Sequence, residues 1–330
     1  MKSRMKYIDV TEPGPPENLK VAEGPVPEIG SEEVLLRVHA TALNRADTYQ
    51  RQGQYPPPEG ASEILGLEAA GTIEAVGSAV SSWERGAEVM ALLSGGGYAE
   101  YVAVDAGLLM PKPEGLSFAE AAAIPEVFLT AYQALYWLAS LEEAQHVLIH
   151  AGASGVGTAA TQLVTQAGAV PHVTASAGKH TLCLQLGAET AIDYEKEDFS
   201  ERIRQVTNDR GADIIVDFVG ASYAEKNSRA LALDGTWVVL ALMGGATVEQ
   251  FPLGRLFRKR GTIVTSTLRS RSISYKRALV QDFIDTHLQF FDDGRLAPVI
   301  DNIMNFSDVQ AAHERMEANK NAGKIVLTLQ

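Results

Sequence analysis

The residues whose types and spacing most clearly imply chemistry are Gly152-Ala153-Ser154-Gly155-Val156-Gly157. They follow an apolar run, His146-Val147-Leu148-Ile149-His150-Ala151, and open a stretch in which Val156, Ala160, Leu163 and Ala167 recur at helical spacing. A glycine turn between a strand and a helix lets backbone N–H groups approach a diphosphate at the positive end of the helix dipole. The chemistry this predicts is dinucleotide binding. Two registers fit. Gly155-Val156-Gly157-Thr158-Ala159-Ala160 matches G-x-G-x-x-A letter for letter but leaves three residues of slack after the strand. Placing Gly152, Ser154 and Gly157 in the three glycine slots starts the turn directly after the strand, and is the preferred reading.

The next strand carries an informative absence. An acidic residue about 20 positions after the first glycine would accept a hydrogen bond from the ribose 2′-hydroxyl of NAD. The window Pro171-His172-Val173-Thr174-Ala175-Ser176-Ala177-Gly178-Lys179-His180 holds no Asp or Glu. Ser176 and Lys179 instead offer a hydroxyl and a cation, which suit a 2′-phosphate and predict NADPH. Lys179 alone also reads as an exposed lysine in a first helical turn. Cys183 is the single cysteine, so neither an intrachain disulfide nor a cysteine-based zinc cluster can form. Seven histidines show no ligand spacing, and no metal is expected. His150, at the end of an apolar strand, reads as a packed, hydrogen-bonded residue.

These groups need a scaffold, and the surrounding pattern supplies one. Apolar runs at 146–151, 170–174, 190–193, 212–217, 237–242 and 262–267 alternate with helical stretches such as 179–186 and 198–207. Six strands with helical crossovers predict an α/β fold with a doubly wound, six-stranded parallel sheet. The first 120 residues read differently, as short strands (34–40, 71–77, 88–93, 98–104) punctuated by Gly and Pro, which suggests a small barrel or sandwich. Ser117 and Glu120 form a capping-box pattern, followed by helical stretches at 119–123 and 130–139. A helix at 275–291, an extended stretch at 296–305, a helix at 308–318 and a strand at 324–329 close the chain. That tail is expected to return to the N-terminal domain. The predicted division is 1–124 with 293–330 for the mostly β domain, and 125–292 for the dinucleotide-binding domain.

Composition bounds the partners. A chain of 330 residues predicts two domains. A net charge of −13 argues against a nucleic-acid footprint, which needs clustered Lys and Arg. No run of about 18 apolar residues appears, so no membrane span is expected. The basic start, Met1 to Lys6, lacks a following apolar segment, so no signal peptide is expected and the default location is cytoplasmic. The edge of strand 262–267 could pair with a second copy, which predicts a homodimer.

Further motifs span the chain: Pro16-Glu17-Asn18-Leu19, Ala42-Leu43-Asn44-Arg45-Ala46-Asp47, Arg51-Gln52-Gly53-Gln54-Tyr55 and Gly66-Leu67-Glu68-Ala69-Ala70-Gly71. Ala121-Ala122-Ala123-Ile124-Pro125 with Thr130-Ala131, the loop from His150 to Gly157, and Gly323-Lys324-Ile325-Val326-Leu327 complete the set. On these residues the chain resembles the zinc-free quinone oxidoreductase branch of the medium-chain dehydrogenase/reductase superfamily, and within it the p53-inducible quinone oxidoreductase-like proteins. The resemblance implies a Rossmann domain and a mostly β GroES-like domain. It also implies that Asn44 and Leu67 stand where zinc-dependent relatives carry metal ligands. Asn44, Asp47, Tyr49 and Tyr55 would line a cleft beside the nicotinamide, and Ser154 would sit close to cofactor or substrate. Tyr55, before Pro56-Pro57-Pro58, can equally anchor its loop, and Asn44 and Asp47 can equally cap a turn.

The cofactor positions implied are Thr130, Ser154, Gly155, Val156, Gly157, Ser176, Lys179, Tyr194, Gly220, Leu242, Met243, Ser266, Thr267 and Leu268, besides Gly152 and Tyr49. The expected reaction is hydride or electron transfer from NADPH to a small apolar quinone or enone, accelerated by orientation and water exclusion with no covalent intermediate. No dedicated general acid stands out; Tyr55 is the best candidate. An enoyl or 2-alkenal reductase on the same scaffold, and an NADPH-binding sensor with little turnover, are the alternatives.

Overall fold

Short apolar runs broken by Gly and Pro do fold as antiparallel strands over the first third of the chain, and the computed structural model describes residues 3–329. In chain order these strands are β1 (Arg4–Val10), β2 (Leu19–Pro25), β3 (Glu33–Ala42), β4 (Glu68–Val76), β5 (Glu88–Leu92), β6 (Tyr101–Asp105) and β7 (Leu109–Pro111). Helix α1 (Arg45–Arg51) sits between β3 and β4, and α2 (Phe118–Ala121) and α3 (Pro125–Tyr132) follow β7. Then come β8 (His146–Ile149), α4 (Gly155–Gln166), β9 (Val170–Ala175), α5 (His180–Gln185), β10 (Thr190–Asp193) and α6 (Phe199–Val206). Next are β11 (Ala212–Asp217), α7 (Ala224–Ala230), β12 (Leu231–Val239), α8 (Leu253–Lys259) and β13 (Thr262–Thr265). The chain ends with α9 (Ile273–Phe283), α10 (Gln289–Asp292), β14 (Ile300–Asn305), α11 (Val309–Glu317) and β15 (Lys324–Thr328).

Two compact units result. Unit 1 holds the chain up to Leu129 and from Leu268 onward; unit 2 holds Thr130–Thr267. Residues 125–129 and 268–292, assigned above to the dinucleotide-binding domain, therefore belong to unit 1. The reason is side-chain packing: Phe128 lies 6.5 Å from Phe283 and 4.9 Å from Phe291, ring to ring. Arg277 also donates from Nε to Asp105 at 2.8 Å.

The seven-stranded sheet of unit 1 runs β14-β15-β3-β4-β5-β7, with β6 also on β3 and β1–β2 as a separate ribbon. Strand β3 is the axis: Ala42 pairs Val326 of β15, Val38 pairs Gly71 of β4 and Leu36 pairs Val102 of β6. Two register shifts between β3 and β4 bend this sheet. The tail thus returns to the N-terminal domain, as expected. Its core includes Ile8, Leu19, Leu43, Leu65, Tyr98, Ile325 and Leu327.

Unit 2 is a six-stranded sheet in the order β10-β9-β8-β11-β12-β13, with every neighbour parallel. Numbered from its own first strand that order is 3-2-1-4-5-6, the doubly wound arrangement. Leu148, Ile192, Phe199, Ile215, Leu231 and Trp237 fill one face. Helix α4 is more deeply buried than its apolar stripe predicts, with Gly157 through Val164 all enclosed. Its hydroxyls stay satisfied inside: Thr161 donates to the Gly157 carbonyl at 2.9 Å, and Thr158 to that of Gly155 at 2.9 Å. Two expected boundaries move furthest. The strand expected at 237–242 spans Leu231–Val239, and the helix expected at 130–139 begins at Pro125 and widens to π geometry over Gln133–Leu138. Proline at a helix start is favoured, because its missing N–H has no intrahelical partner there.

Among the described residues no helix is long and apolar enough to cross a membrane.

The β3–β4 approach gives a direct test. A Cβ on Gly71 would stand 1.9 Å from the Arg37 carbonyl oxygen, whereas one on Gly115 would meet nothing within 4 Å. Gly71→Ala should cost about 3 kcal/mol in denaturant unfolding, with Gly115→Ala close to wild type; equal midpoints for the two variants would refute the packing described.

Candidate functional site

Because all six strands of unit 2 run the same way, their C-terminal ends share one edge. The predicted cofactor residues of this unit other than Thr130 follow those ends: Gly152 to Gly157 after β8, Ser176 and Lys179 after β9, Tyr194 after β10, Gly220 after β11, Leu242 and Met243 after β12, Ser266 and Thr267 after β13. Thr130 lies on α3 instead. Ser176 and Lys179 are half-buried, while Tyr194, Leu242 and Met243 are exposed. Ser266 is buried and its hydroxyl donates to Gln133 Oε1 at 3.2 Å. Leu268, also expected here, is a buried residue of unit 1.

The glycine loop is tightly packed at Gly152 and Gly157. A Cβ on Gly152 would stand 2.5 Å from the Val173 side chain, and one on Gly157 would stand 2.3 Å from the Ala151 carbonyl. Neither position has room for a side chain. Ser154, in the middle slot, caps α4: its Oγ accepts from the Gly157 N–H at 3.0 Å. That bond uses the hydroxyl oxygen as a helix cap. It leaves the N–H groups of Gly155 and Val156, the first two of the helix, without an acceptor among the described residues. Two free amides at a helix N-terminus are the donor set that fits a pyrophosphate.

Beneath this edge lies a closed polar hub that the sequence reading did not single out. Buried Asp217 ends β11; its Oδ1 accepts from the N–H groups of Val219 (2.7 Å) and Gly220 (3.1 Å). Its Oδ2 accepts from Asn227 Nδ2 (3.0 Å) and Trp237 Nε1 (2.9 Å). Asn227 in turn presents Oδ1 to His150 Nε2 at 2.8 Å, and Thr174 meets His150 Nδ1 at 3.0 Å. Burial lowers the His150 pKa, so the ring is neutral and donates from Nε2. His150 is the packed, hydrogen-bonded residue expected.

In unit 1 the candidate residues fall into an interior network and a second group. Asp47 is fully buried, and its two oxygens accept from the N–H groups of Asn44 (2.7 Å) and Gly66 (3.0 Å). It caps α1 and holds a loop, so it is not the cleft-lining group that the resemblance implied; burial raises its pKa to about 6 against those two donors. Asn44 donates to Glu68 Oε1 at 2.9 Å and accepts from Lys324 Nζ at 2.7 Å. Lys324 also donates to the Leu43 carbonyl at 2.6 Å and pairs with Glu68 Oε1 at 2.7 Å. The second Glu68 oxygen accepts from the Glu126 N–H at 2.9 Å. Lys324, Glu68 and Asn44 thus form a buried, mutually satisfied set.

The second group is half-buried Tyr55 and Glu126 with buried Arg269. Arg269 donates to the Ser94 carbonyl (2.9 Å) and Gln50 Oε1 (2.7 Å), and its guanidinium lies 5.4 Å from the Tyr55 ring centre. Tyr55 and Tyr49 are half-buried. Burial raises the Tyr55 pKa, which makes its hydroxyl a poorer proton donor. Burial and the Glu68 carboxylate push Glu126 up to about 8. Neither Glu126, Arg269 nor Lys324 was singled out from the sequence. A charged residue inside the apolar run Gly323-Lys324-Ile325-Val326-Leu327 was the available signal for Lys324. Among the described residues, no group of three or more His, Cys, Asp or Glu side chains is placed to hold a metal ion.

Comparison with known proteins agrees with this geometry. Two family models match, "Alcohol dehydrogenase GroES-like domain" over residues 30–114 and "Zinc-binding dehydrogenase" over residues 186–327. The chain is 33% identical to the synaptic vesicle membrane protein VAT-1 homolog of Danio rerio, over 94% of this chain and 66% of that one. It is 30% identical to the quinone oxidoreductase of Homo sapiens, over 98% of both chains. Among solved structures, an NAD-dependent alcohol dehydrogenase superposes with a TM-score of 0.88 at 31% identity, covering 99% of this chain and 100% of that one. The CurK enoyl reductase superposes with a TM-score of 0.88 at 26% identity, covering 100% of each.

The ion pair of unit 1 is testable. Lys324→Met leaves the Glu68 carboxylate buried without its cation and should cost about 3–5 kcal/mol in denaturant unfolding. Adding Glu68→Gln should recover a large part of that loss. A single variant as stable as wild type would show that the pair does not hold the strands as described.

Proposed function

The chain belongs to the medium-chain dehydrogenase/reductase superfamily, whose members bind a nicotinamide cofactor, and from that premise we propose that it is a zinc-independent NADPH:quinone oxidoreductase. The observation that carries the reading is the Lys324 ammonium lodged between Asn44 and Glu68. The resemblance places metal ligands of zinc-dependent relatives at positions 44 and 67. Here Asn44 already serves a cation that the chain itself supplies, and Leu67 offers no donor atom. A substrate carbonyl then has no Lewis acid from this residue set, and the suitable acceptor is one that takes hydride readily, such as a quinone. The full-length likeness to a quinone oxidoreductase supports the same acceptor.

NADPH is favoured by the lack of an acid after β9 and by Ser176 and Lys179 at that strand's end. The cofactor would be held by the free Gly155 and Val156 amides, with Gly152 and Gly157 letting the chain turn tightly there. The group bound there supplies the hydride. This chain's residues orient the acceptor, exclude water and manage the proton. A second reading, reduction of an activated C=C bond, is favoured by the likeness to an enoyl reductase.

We further propose a homodimer formed along β13, an edge strand preceded in the chain by α8, which carries the exposed apolar residues Leu253 and Phe257. Light scattering should return twice the chain mass of 35.4 kDa; a monomer at micromolar concentration would overturn it.

The function is tested by following NADPH oxidation with ortho-quinones, para-quinones and 2-alkenals side by side. Quinones should give the highest kcat/KM, and Lys179→Ala should raise KM for NADPH about 10- to 100-fold with little effect on NADH. Faster turnover of 2-alkenals would favour the second reading. A protein that binds NADPH yet reduces no acceptor would remove both.

A further inference from the structure

We propose that the Glu126 carboxyl group is the acid that protonates the oxygen of the reduced acceptor. The assignment rests on the reductase reading above and adds the proton donor that reading lacks. Glu126 is the second residue of α3, directly after Pro125. Its main-chain N–H is fixed by Glu68 Oε2, and Glu68 is itself fixed by Lys324 and Asn44. The backbone under this side chain is therefore tied to the deepest polar set of unit 1.

The side chain behaves differently from every structural carboxylate around it. Asp47 and Glu68 are fully enclosed, with both oxygens engaged. Glu126 is only partly buried, and among the described residues no hydrogen bond or ion pair engages its carboxyl oxygens. It is left unpartnered although the charges acting on it include Lys324 of β15, Arg269 of the segment before α9, and Lys276 of α9. Facing these are the carboxylates of Glu68 on β4 and Asp47 on α1, and the Tyr55 hydroxyl.

A second, independent observation points to a ligand oxygen at the same place. Arg269 is 4% exposed and uses Nε and Nη2, but its buried Nη1 has no acceptor. An unmet buried guanidinium donor is costly unless an acceptor arrives. The guanidinium lies over the Tyr55 ring and acts electrostatically on Glu126, so donor, ring and acid form one group. Tyr55, its hydroxyl held more tightly to its proton by burial, is the weaker acid of the two.

The step balances. A quinone that has accepted hydride from a bound nicotinamide would carry two more electrons and one more hydrogen, with one of its oxygens left as a phenolate. The O–H bond of Glu126 breaks, and its proton forms the new O–H bond of the hydroquinone. Water returns a proton to the Glu126 carboxylate, whose transient charge is offset by Lys324, Arg269 and Lys276. Burial and the neighbouring Glu68 keep the acid form present at neutral pH, since the group titrates at about 8.

The sign of the pH effect follows. An acid that must carry its proton loses function as pH rises, so kcat for 1,4-benzoquinone with NADPH should fall through about pH 8 in the full-length protein. Glu126→Gln should lower kcat about 100-fold and abolish that limb. Glu126→Asp should retain the limb with a smaller loss. NADPH binding, followed by its fluorescence, and the thermal midpoint should stay near wild type in both variants. A readout free of turnover is infrared difference spectroscopy of the cofactor-free protein between about pH 7.5 and pH 9, above the range in which Asp47 titrates. It should show a protonated-carboxyl band in wild type that Glu126→Gln lacks. Turnover and pH limb unchanged by Glu126→Gln, or a band that survives it, would overturn the assignment alone. Wild-type protein that binds NADPH but reduces no acceptor would overturn the reductase reading, and the assignment with it.

Discussion

A carboxylate with no access to water needs a cation, a proton or several donors, because the interior does not solvate its charge. Glu68 has a cation and two donors, and the rest of unit 1 is arranged around that fact. Lys324 supplies the charge, Asn44 and the Glu126 backbone supply the hydrogen bonds, and each of these groups is placed by a different element. The pair joins β4 to β15, α1 begins beside it, and α3 starts against it. Buried ion pairs are weak sources of net stability, but they are strict about position. What the pair supplies here is registry: a strand from the chain's end must meet a strand from its beginning at one relative placement.

Unit 2 has a counterpart of the same kind. Asp217 accepts four hydrogen bonds from four residues and thereby fixes the Gly220 turn at the end of β11. The neutral His150 extends the hub through Asn227 to Thr174, so β8, β9 and β11 are tied together just below their C-terminal ends. Networks in which every member is satisfied stiffen the edge that a ligand would use, and a stiff edge needs little ordering on binding.

Local chemistry was legible in the sequence because its parts are neighbours along the chain. Strand, glycine turn and helix follow one another within 146–166, and the Ser117–Glu120 capping box closes over three residues, with Ser117 Oγ accepting from the Glu120 N–H. The doubly wound, six-stranded sheet was legible for a related reason: strands alternating with helices call for βαβ crossovers, and these have one hand, which leaves few topologies. The unit 1 network was not. Asn44 and Lys324 stand 280 positions apart, and nothing local says that they meet. Asp47 shows the converse error, since an acid near a predicted site looked chemical until both its oxygens proved to be occupied by backbone N–H groups. The extent of unit 1 was missed likewise, because whether α9 extends one domain or the other depends on which aromatic rings it meets.

The division of the chain carries a consequence for how the molecule is made. During synthesis the residues of unit 2 emerge as one continuous stretch, Thr130–Thr267. Unit 1 emerges in two pieces. Until the ribosome has passed residue 324, the Ala42 end of β3 lacks its β15 neighbour and Glu68 lacks its counter-ion. The strands that precede unit 2 are thus completed only after unit 2 has been made, and a nascent chain stalled before β15 exposes an unpaired strand edge of the kind that aggregates or recruits a chaperone.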